Sequence, residues 1–453
     1  MKTLKTQASF ISIICLLFLT EACSDKSTQT SDETRADTTV MSVEFKTQRK
    51  NDSMPVPYAT ESAVKNSNVI GWPKGKTPIA PVGFIVKKFA EDLKNPRWIY
   101  VLPNGDVLVS EAMAKTNLAK KVKALTSGKW KSAKTFENAN RITLLRDRNN
   151  DGIPEIRETF LENLYHPFGM LLIDSIFYVA NTNGIVTYPY HEGELKINTK
   201  GKKILDLPAN GYNNHWTRNI VTDPEKTKLF ISVGSGSNVA EHGLESEKER
   251  ANILVANLDG SNKKVYASGL RNPVGMDWEP TTKQLWTAVN ERDELGDELV
   301  PDYLTSVKEN GFYGWPWFYF GKHEDPRIKE KNPEMAEKSI APDYPLGAHT
   351  ASLGLVFYKG NRFPSHYHGG AFIGQHGSWN SSRLVGYKVV FIRFENGKPK
   401  GETEDFLTGF ISDLENGEVY GRPVGLAMSK DGSLLVADDA ANTIWKIEAI
   451  TKK

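Results

Sequence analysis

One pattern of apolar and polar positions recurs along the chain from Lys94: a polar or cationic residue, usually a proline, an apolar strand, a turn, a second apolar strand and a polar end. The copies read "NPRWIYVLPNGDVLVSEA" from Asn95, "HPFGMLLIDSIFYVANT" from His166, "TRNIVTDPEKTKLFISVGS" from Thr217, "RNPVGMDWEPTTKQLWTAVNE" from Arg271, "ASLGLVFYKG" with "GGAFIGQHGSW" from Ala351, and "RPVGLAMSKDGSLLVADDA" from Arg422. Each is rich in β-branched and aromatic residues and is broken by turn formers such as "PNGD", "DPEKTK" and "KDGS", so each predicts a hairpin. Between copies lie roughly fifty to eighty residues, room for two further strands and insertions. The pattern predicts an all-β, six-bladed β-propeller of four-stranded antiparallel blades. Helical windows are scarce, "NPEMAEKSI" being the best short one.

In a propeller the innermost strands start near one mouth of the central channel, so residues at matching places in the phrase converge there. Those residues are Asn95, His166, His215 with Arg218, Arg271 with Asn272, His349 and Arg422. A packed core rejects such a set, because buried charge is costly without a partner. A ring of cations around a ligand with several negative charges is the reading that follows.

The N-terminus changes the domain picture. Lys2 and Lys5 precede an apolar run, "FISIICLLFL", too short to span a membrane, and "TEAC" ends in Cys23. Residues 1–22 read as a lipoprotein-type signal cleaved before Cys23, which then carries lipid; an ordinary secretory signal is the alternative. With Cys15 inside the run, the mature chain has no cysteine pair for an internal disulfide. Residues 23–77 are polar and read as a flexible tether, which leaves 78–453 for the propeller. The expected location is exported, periplasmic or cell-surface. Lys+Arg 57 against Asp+Glu 55 gives +2 over 453 residues, so no global field draws the protein to nucleic acid, and membrane contact is expected only through the anchor.

Several motifs occur together and in order: "NHWTRN", "GLRNPVG", "NERDELGDELVPDY", "YGWPW", "LGAHTASLGL", "GQHGSWN", "GYKVV" and "GRPVGLA". Over about Pro78 to Ile450 the chain resembles the soluble pyrroloquinoline-quinone-dependent sugar dehydrogenases, in particular the sorbosone/pyranose dehydrogenase branch. The resemblance implies a six-bladed propeller with the quinone (PQQ) and Ca²⁺ at the channel mouth and a histidine base. It implies His215 as that base and Arg271, with Asn272, against the quinone carbonyls. Arg218 stands beside His215 in the same motif; Arg422 and Lys388 are carried over as carboxylate partners, and His349, His376 and Trp379 as pocket lining. PQQ carries three carboxylates, which the cationic ring suits.

Two acidic stretches are calcium candidates. "VNERDELGDELVPDY" offers Glu291, Asp293, Asp297 and Glu298 at the end of the fourth hairpin, and a solvated acidic turn is the alternative. It departs from the glucose-oxidising relatives, which have an amide side chain, Gly and Pro where Glu291, Arg292 and Asp293 stand. "DRNNDGIPEIRE" fits a calcium-loop pattern through Asp147, Asn149, Asp151 and Glu158, or an Asx-rich turn without metal.

The expected activity is oxidation of a sugar or polyol hydroxyl or aldehyde by hydride transfer to PQQ. No Cys-x-x-Cys-His is present for a covalent haem, so an external acceptor, a quinone or cytochrome, is expected to take the electrons. A Ca²⁺-dependent propeller lactonase and a non-catalytic carbohydrate-binding propeller are the rival readings.

Overall fold

The computed structural model describes residues 54–114, 129–132 and 138–450. The signal segment, Cys23 and residues 23–53 lie outside the described residues. No described helix is long and apolar enough to cross a membrane, and "NPEMAEKSI" supplies only a 3₁₀ turn, Pro333–Met335.

All the recurring hairpins form. Their strands are Pro96–Val101 with Val107–Glu111, Pro167–Ile173 with Ile176–Asn181, Ile220–Thr222 with Lys228–Val233, Pro273–Trp278 with Leu285–Val289, Ser352–Phe357 with Ala371–Gln375, and Pro423–Met428 with Leu434–Asp438. Each hairpin begins an antiparallel meander of four strands, called here sheets one to six in that order. A short parallel strand, Gly311–Phe312, adds to the edge of sheet three. In sheet six the outermost strand is Phe84–Ala90 from the start of the ordered chain, paired antiparallel to Thr443–Ala449 near its end. Chain ends thus share one sheet, which covers an edge that would otherwise be open to foreign strands.

The first strand of each sheet packs on the first strand of the next, and that of sheet six packs on that of sheet one, so the inner strands close a ring. Two features of the phrase explain this. Proline, which has no N–H to offer, opens four of the inner strands, where a missing donor is tolerated. Glycine at the third position of "PVG" then lets one strand lie against the next: a Cβ at Gly275 would fall 2.5 Å from Leu355 N, and one at Gly425 would fall 2.5 Å from Arg97 O. Between them the register shifts at Pro273/Met276 and Pro423/Leu426, and these bulges turn the strand starts toward the mouth. Apolar side chains fill the gaps between sheets, with Trp98 against Phe168 at 4.7 Å and Trp286 against Phe394 at 5.0 Å.

The expected tether is corrected over residues 54–77. From Met54 the chain is ordered and hydrogen-bonded: Asn68–Val69 pairs parallel to Glu418–Val419, and the Trp72 ring sits among Phe410, Tyr420 and Trp445. Polar composition concealed this, because the segment bonds through its backbone and needs few apolar side chains.

Gly425→Ala is expected to destabilise the fold by about 2–3 kcal/mol, since the clash is with backbone that cannot rotate away. A guanidinium midpoint near that of the unmodified protein would show that the inner strands are not in register-tight contact.

Candidate active site

His215 lies in the loop between sheets two and three. Arg218, fully buried, holds that loop by donating from Nη1 to the His215 and Thr217 carbonyls, 2.8 Å each, and from Nη2 to the Pro208 carbonyl at 2.6 Å. Burial, with Arg250 nearby, pulls its pKa down to about 9. Arg218, expected to touch a cofactor, holds the loop of the base: both Nη atoms bond backbone carbonyls, and its buried Nε has no hydrogen-bond partner. His215 Nδ1 lies 2.8 Å from the Ser235 carbonyl, which can only accept, so Nδ1 carries the proton and Nε2, with no protein partner, is the basic nitrogen. Burial and then Arg271 push the imidazole pKa down to about 3, so the ring stays neutral.

Arg271 and Asn272 enter beside it at the start of sheet four. The Ser235 N–H donates to the Arg271 carbonyl at 2.7 Å. A Cβ at Gly234 would meet Asn272 Oδ1 at 2.4 Å and His215 Cβ at 2.6 Å, so this glycine lets the two approach. Asn272 is 5% exposed and its Oδ1 has no hydrogen-bond partner. Arg271 donates to the Glu291 carbonyl at 2.6 Å and Asn238 Oδ1 at 2.9 Å, and lies 3.3 Å from Asp293 Oδ2.

Asp293 is shared. His349 Nδ1 lies 3.4 Å from its Oδ1, while His349 Nε2 donates to the Gly296 carbonyl at 2.9 Å. With acceptors at both ring nitrogens, His349 favours the imidazolium. Burial works against that charge, but the Asp293 hydrogen bond and charge outweigh it and raise the pKa. For Asp293 burial works upward, and His349 followed by Arg271 bring the carboxyl below its ordinary value. His349 holds φ +59, in the left-handed region.

A second cluster is joined to the first through Trp216, next to His215, over whose ring the Arg97 guanidinium sits at 5.6 Å. Arg97 pairs with Asp439, which also lies 2.8 Å from His376 Nε2. Burial, then Arg422, lowers the His376 pKa to about 4, so Nε2 carries the proton toward Asp439 and Nδ1 is left as an acceptor without a protein partner. Arg422 donates from Nε to the His376 carbonyl at 2.9 Å and from Nη2 to the Gly377 carbonyl at 2.7 Å; Nη1 has no protein partner. His166 is 7% exposed and bonded to the Met113 carbonyl at 2.7 Å, in the turn that starts sheet two.

One expected ligand is placed elsewhere: Lys388 pairs with Asp405 on the outer strand of sheet five. Trp379 is 37% exposed, and its carbonyl accepts from the Lys65 N–H at 2.9 Å.

At both acidic loops several of the carboxylates expected to bind calcium have protein partners. Glu291 Oε2 accepts from Arg292 Nε at 2.9 Å, and Arg292, 0% exposed, also bonds Asp325 at 3.2 Å. Asp293 serves Arg271 and His349, Asp297 takes the N–H of Ser382 at 2.7 Å, and Glu298 is exposed. In the other loop Asp147 takes the Gly152 N–H and Asp151 the Ile153 N–H, both at 2.8 Å, Asn149 takes the Asp151 N–H at 2.8 Å, and Glu158 is exposed on a strand. Among the described residues no group of three or more His, Cys, Asp or Glu is arranged to hold a metal ion. Near Arg271 and Arg292 the inner carboxylates Glu291 and Asp293 face cations, whereas in the other loop Asp147 Oδ1 is buried without a hydrogen-bond partner.

The residues that sequence reading missed are Arg97, Asn238, Asn290, Asp302 and Asp439. Asn290 and Asp439 directly follow second strands, the "polar end" of the phrase, so their convergence with the strand starts was available from the pattern. Asp302 was not: it is buried, accepts from the Glu291 and Ser352 N–H groups at 2.8 and 2.7 Å, and is pushed up to about 6 by burial.

This fold is that of the quinoprotein sugar-dehydrogenase propellers. The PQQ domain of a pyranose dehydrogenase from Coprinopsis cinerea, in its holo form, superposes with a TM-score of 0.68 at 18% identity, over 85% of this chain and 100% of that one. The soluble aldose sugar dehydrogenase of Escherichia coli superposes with a TM-score of 0.55 at 15% identity, over 81% of this chain and 100% of that one. The chain matches the TrAA12-like family over residues 78–310 and 317–450, and it belongs to that family. In sequence it is 31% identical over 299 residues to an uncharacterized protein of Borreliella burgdorferi, covering 64% of this chain and 77% of that protein. It is 23% identical over 433 residues to the Coprinopsis cinerea PQQ-dependent pyranose dehydrogenase, covering 82% of this chain and 54% of that enzyme, so it spans about half of that relative.

The His349–Asp293 pair fixes a pH window. Asp293 falls below its unfolded value of about 3.9 and His349 rises above about 6.5, so their pairing stabilises the fold fully only between those values. It is lost as pH falls through the folded Asp293 value and as pH rises through the folded His349 value. The stability difference between the unmodified protein and Asp293→Asn, from denaturant melts at several pH values, is expected to peak between about pH 4 and 6.5. A flat difference would show that the two do not pair.

Proposed function

We propose that this protein is an exported quinoprotein that oxidises a sugar or polyol hydroxyl, or a sugar aldehyde, of the pyranose or sorbosone type. The observation that carries the reading is the neutral His215, with Nε2 unpartnered, set against Arg271 and the partnerless Asn272 amide in a member of the TrAA12-like family. The six sheets are read as six propeller blades, with these residues at one mouth of the channel. Export and a lipid anchor at Cys23 rest on the N-terminal sequence alone.

The residues fit PQQ in charge and in free valence. Arg97, Arg271, Arg422 and His349 outnumber the carboxylates of Asp293 and Asp439, which leaves net positive charge for a polyanion. The buried Asn272 Oδ1 and the Arg422 Nη1 lack protein partners that a planar polar ligand would supply. When bound, the quinone supplies a two-electron acceptor for a hydrogen leaving carbon with its electron pair.

His215 Nε2 takes the proton of the substrate hydroxyl as the new carbon–oxygen double bond forms. A base of so low a pKa cannot remove a proton from a resting alcohol, but loss of hydride makes that proton far more acidic, so both losses must be concerted. Arg218 fixes the imidazole, the Ser235 carbonyl fixes its tautomer, and Arg271 holds positive charge where negative charge develops. No step is assigned to calcium.

Purified protein loaded with PQQ, with and without Ca²⁺, is expected to reduce a redox dye with pyranoses or sorbosone. Absence of quinone uptake by absorbance would end the reading, and lactone hydrolysis without quinone would replace it. His215→Ala is expected to keep quinone uptake and lose roughly 10²–10⁴-fold in kcat/KM. Because His215 stays neutral down to about pH 3, kcat/KM should show no protonation of this base between about pH 7 and 5; a loss with a midpoint near pH 6 that vanishes in His215→Ala would contradict its assigned state.

A further inference from the structure

The ordered N-terminal segment crosses the rim where the two site loops meet. The Tyr58 N–H donates to the Leu295 carbonyl at 2.8 Å, Thr60 Oγ1 accepts from the Asp297 N–H at 2.8 Å, and Ser62 Oγ accepts from the Gly296 N–H at 2.9 Å. Further along, the Ala63 carbonyl accepts from Asn380 Nδ2 at 2.9 Å and the Lys65 N–H donates to the Trp379 carbonyl at 2.9 Å. Asn380 in turn takes the Glu294 N–H on its Oδ1 at 2.8 Å. The segment therefore stitches residues 294–297 to residues 379–380 and is stitched to both. At Gly296, φ +116, a Cβ would lie 2.9 Å from the Thr60 carbonyl, so the loop turns at a place where the segment leaves no room for a side chain.

What is fixed there is the frame of the site. Gly296 supplies the carbonyl that holds His349 Nε2, and Asp293, three residues earlier, bridges His349 and Arg271. The Asp293 N–H is itself held by Asn238 Oδ1 at 3.0 Å, the same atom that receives Arg271 Nη2. Short polar acceptors from outside the propeller are thus one hydrogen-bonded step from the groups that orient Arg271.

We propose that residues 58–65 form a positioning strap, in which Thr60 and Ser62 hold the Asp293–Asp297 loop so that Arg271 and His349 keep their places in the site. This rests on the function proposed above. Small displacements of such groups cost rate out of proportion to their size. The strap carries no group that touches substrate, so its effect reaches the chemistry only through that loop.

The test is a Thr60→Val, Ser62→Ala double variant of the full chain, beside the hydroxyl-keeping pair Thr60→Ser, Ser62→Thr. The first is expected to speed amide exchange at Gly296, Asp297 and Asp293 by roughly tenfold. It is also expected to weaken PQQ binding by absorbance titration and to lower kcat several-fold with sugar KM unchanged, while the hydroxyl-keeping pair restores all three. Faster exchange with unchanged quinone affinity and kcat would overturn the proposal, as would unchanged exchange. Should the unmodified protein take up no quinone, the function above falls and exchange alone decides: acceleration that reaches Asp293 supports the strap, and acceleration confined to Gly296 and Asp297 overturns it.

Discussion

Among the described residues two guanidinium groups have no exposed surface, and of these Arg292, unlike Arg218, is neutralised by carboxylates where it lies. It spends Nε on Glu291 at 2.9 Å and Nη1 on Asp325 at 3.2 Å, and donates to the Pro316 and Phe318 carbonyls at 2.9 and 2.7 Å. Arg327 shares Asp325 and reaches the Asp293 carbonyl at 2.7 Å. The most acidic stretch of the chain is therefore turned inward on its own cations. Glu291 is thereby committed to Arg292, and Asp293 is left facing Arg271 and His349.

Around that loop, charge and neutrality are divided between neighbouring side chains. Asp293 faces both Arg271 and His349 and raises the pKa of the His349 imidazole, whereas His215 is kept neutral by burial and by Arg271. The same buried environment therefore gives two imidazoles opposite states, decided by what each ring nitrogen faces: a carbonyl for His215 Nδ1, a carboxylate for His349 Nδ1. Such separation suits a site that must accept a proton at one atom and hold negative charge at another.

The hairpin phrase made the ring of sheets legible, because proline, glycine and the alternation of apolar positions act locally and recur. It likewise gave His215, Arg271, Asn272, His349 and Arg422 as residues that converge, to which the family resemblance added His376. Sequence reading misjudged residues whose partners lie outside the phrase. Lys388 and Arg218 carried the right charge at plausible places, but Asp405 and the Pro208 and His215 carbonyls claimed them. The acidic stretch read as a calcium loop because composition counts carboxylates without showing what each one faces. The segment from Met54 read as tether because backbone hydrogen bonds leave no mark in hydropathy.

The sequence by itself determined the strand phrase, its repetition, the residues at its starts and the charge they bring to one mouth, all of which follow from local propensity and period. Only the tertiary structure decided which of those charges are free. A buried polar or charged group is satisfied by whatever lies within about 3 Å, and for Arg271, Asp293 and His376 that neighbour comes from another part of the fold.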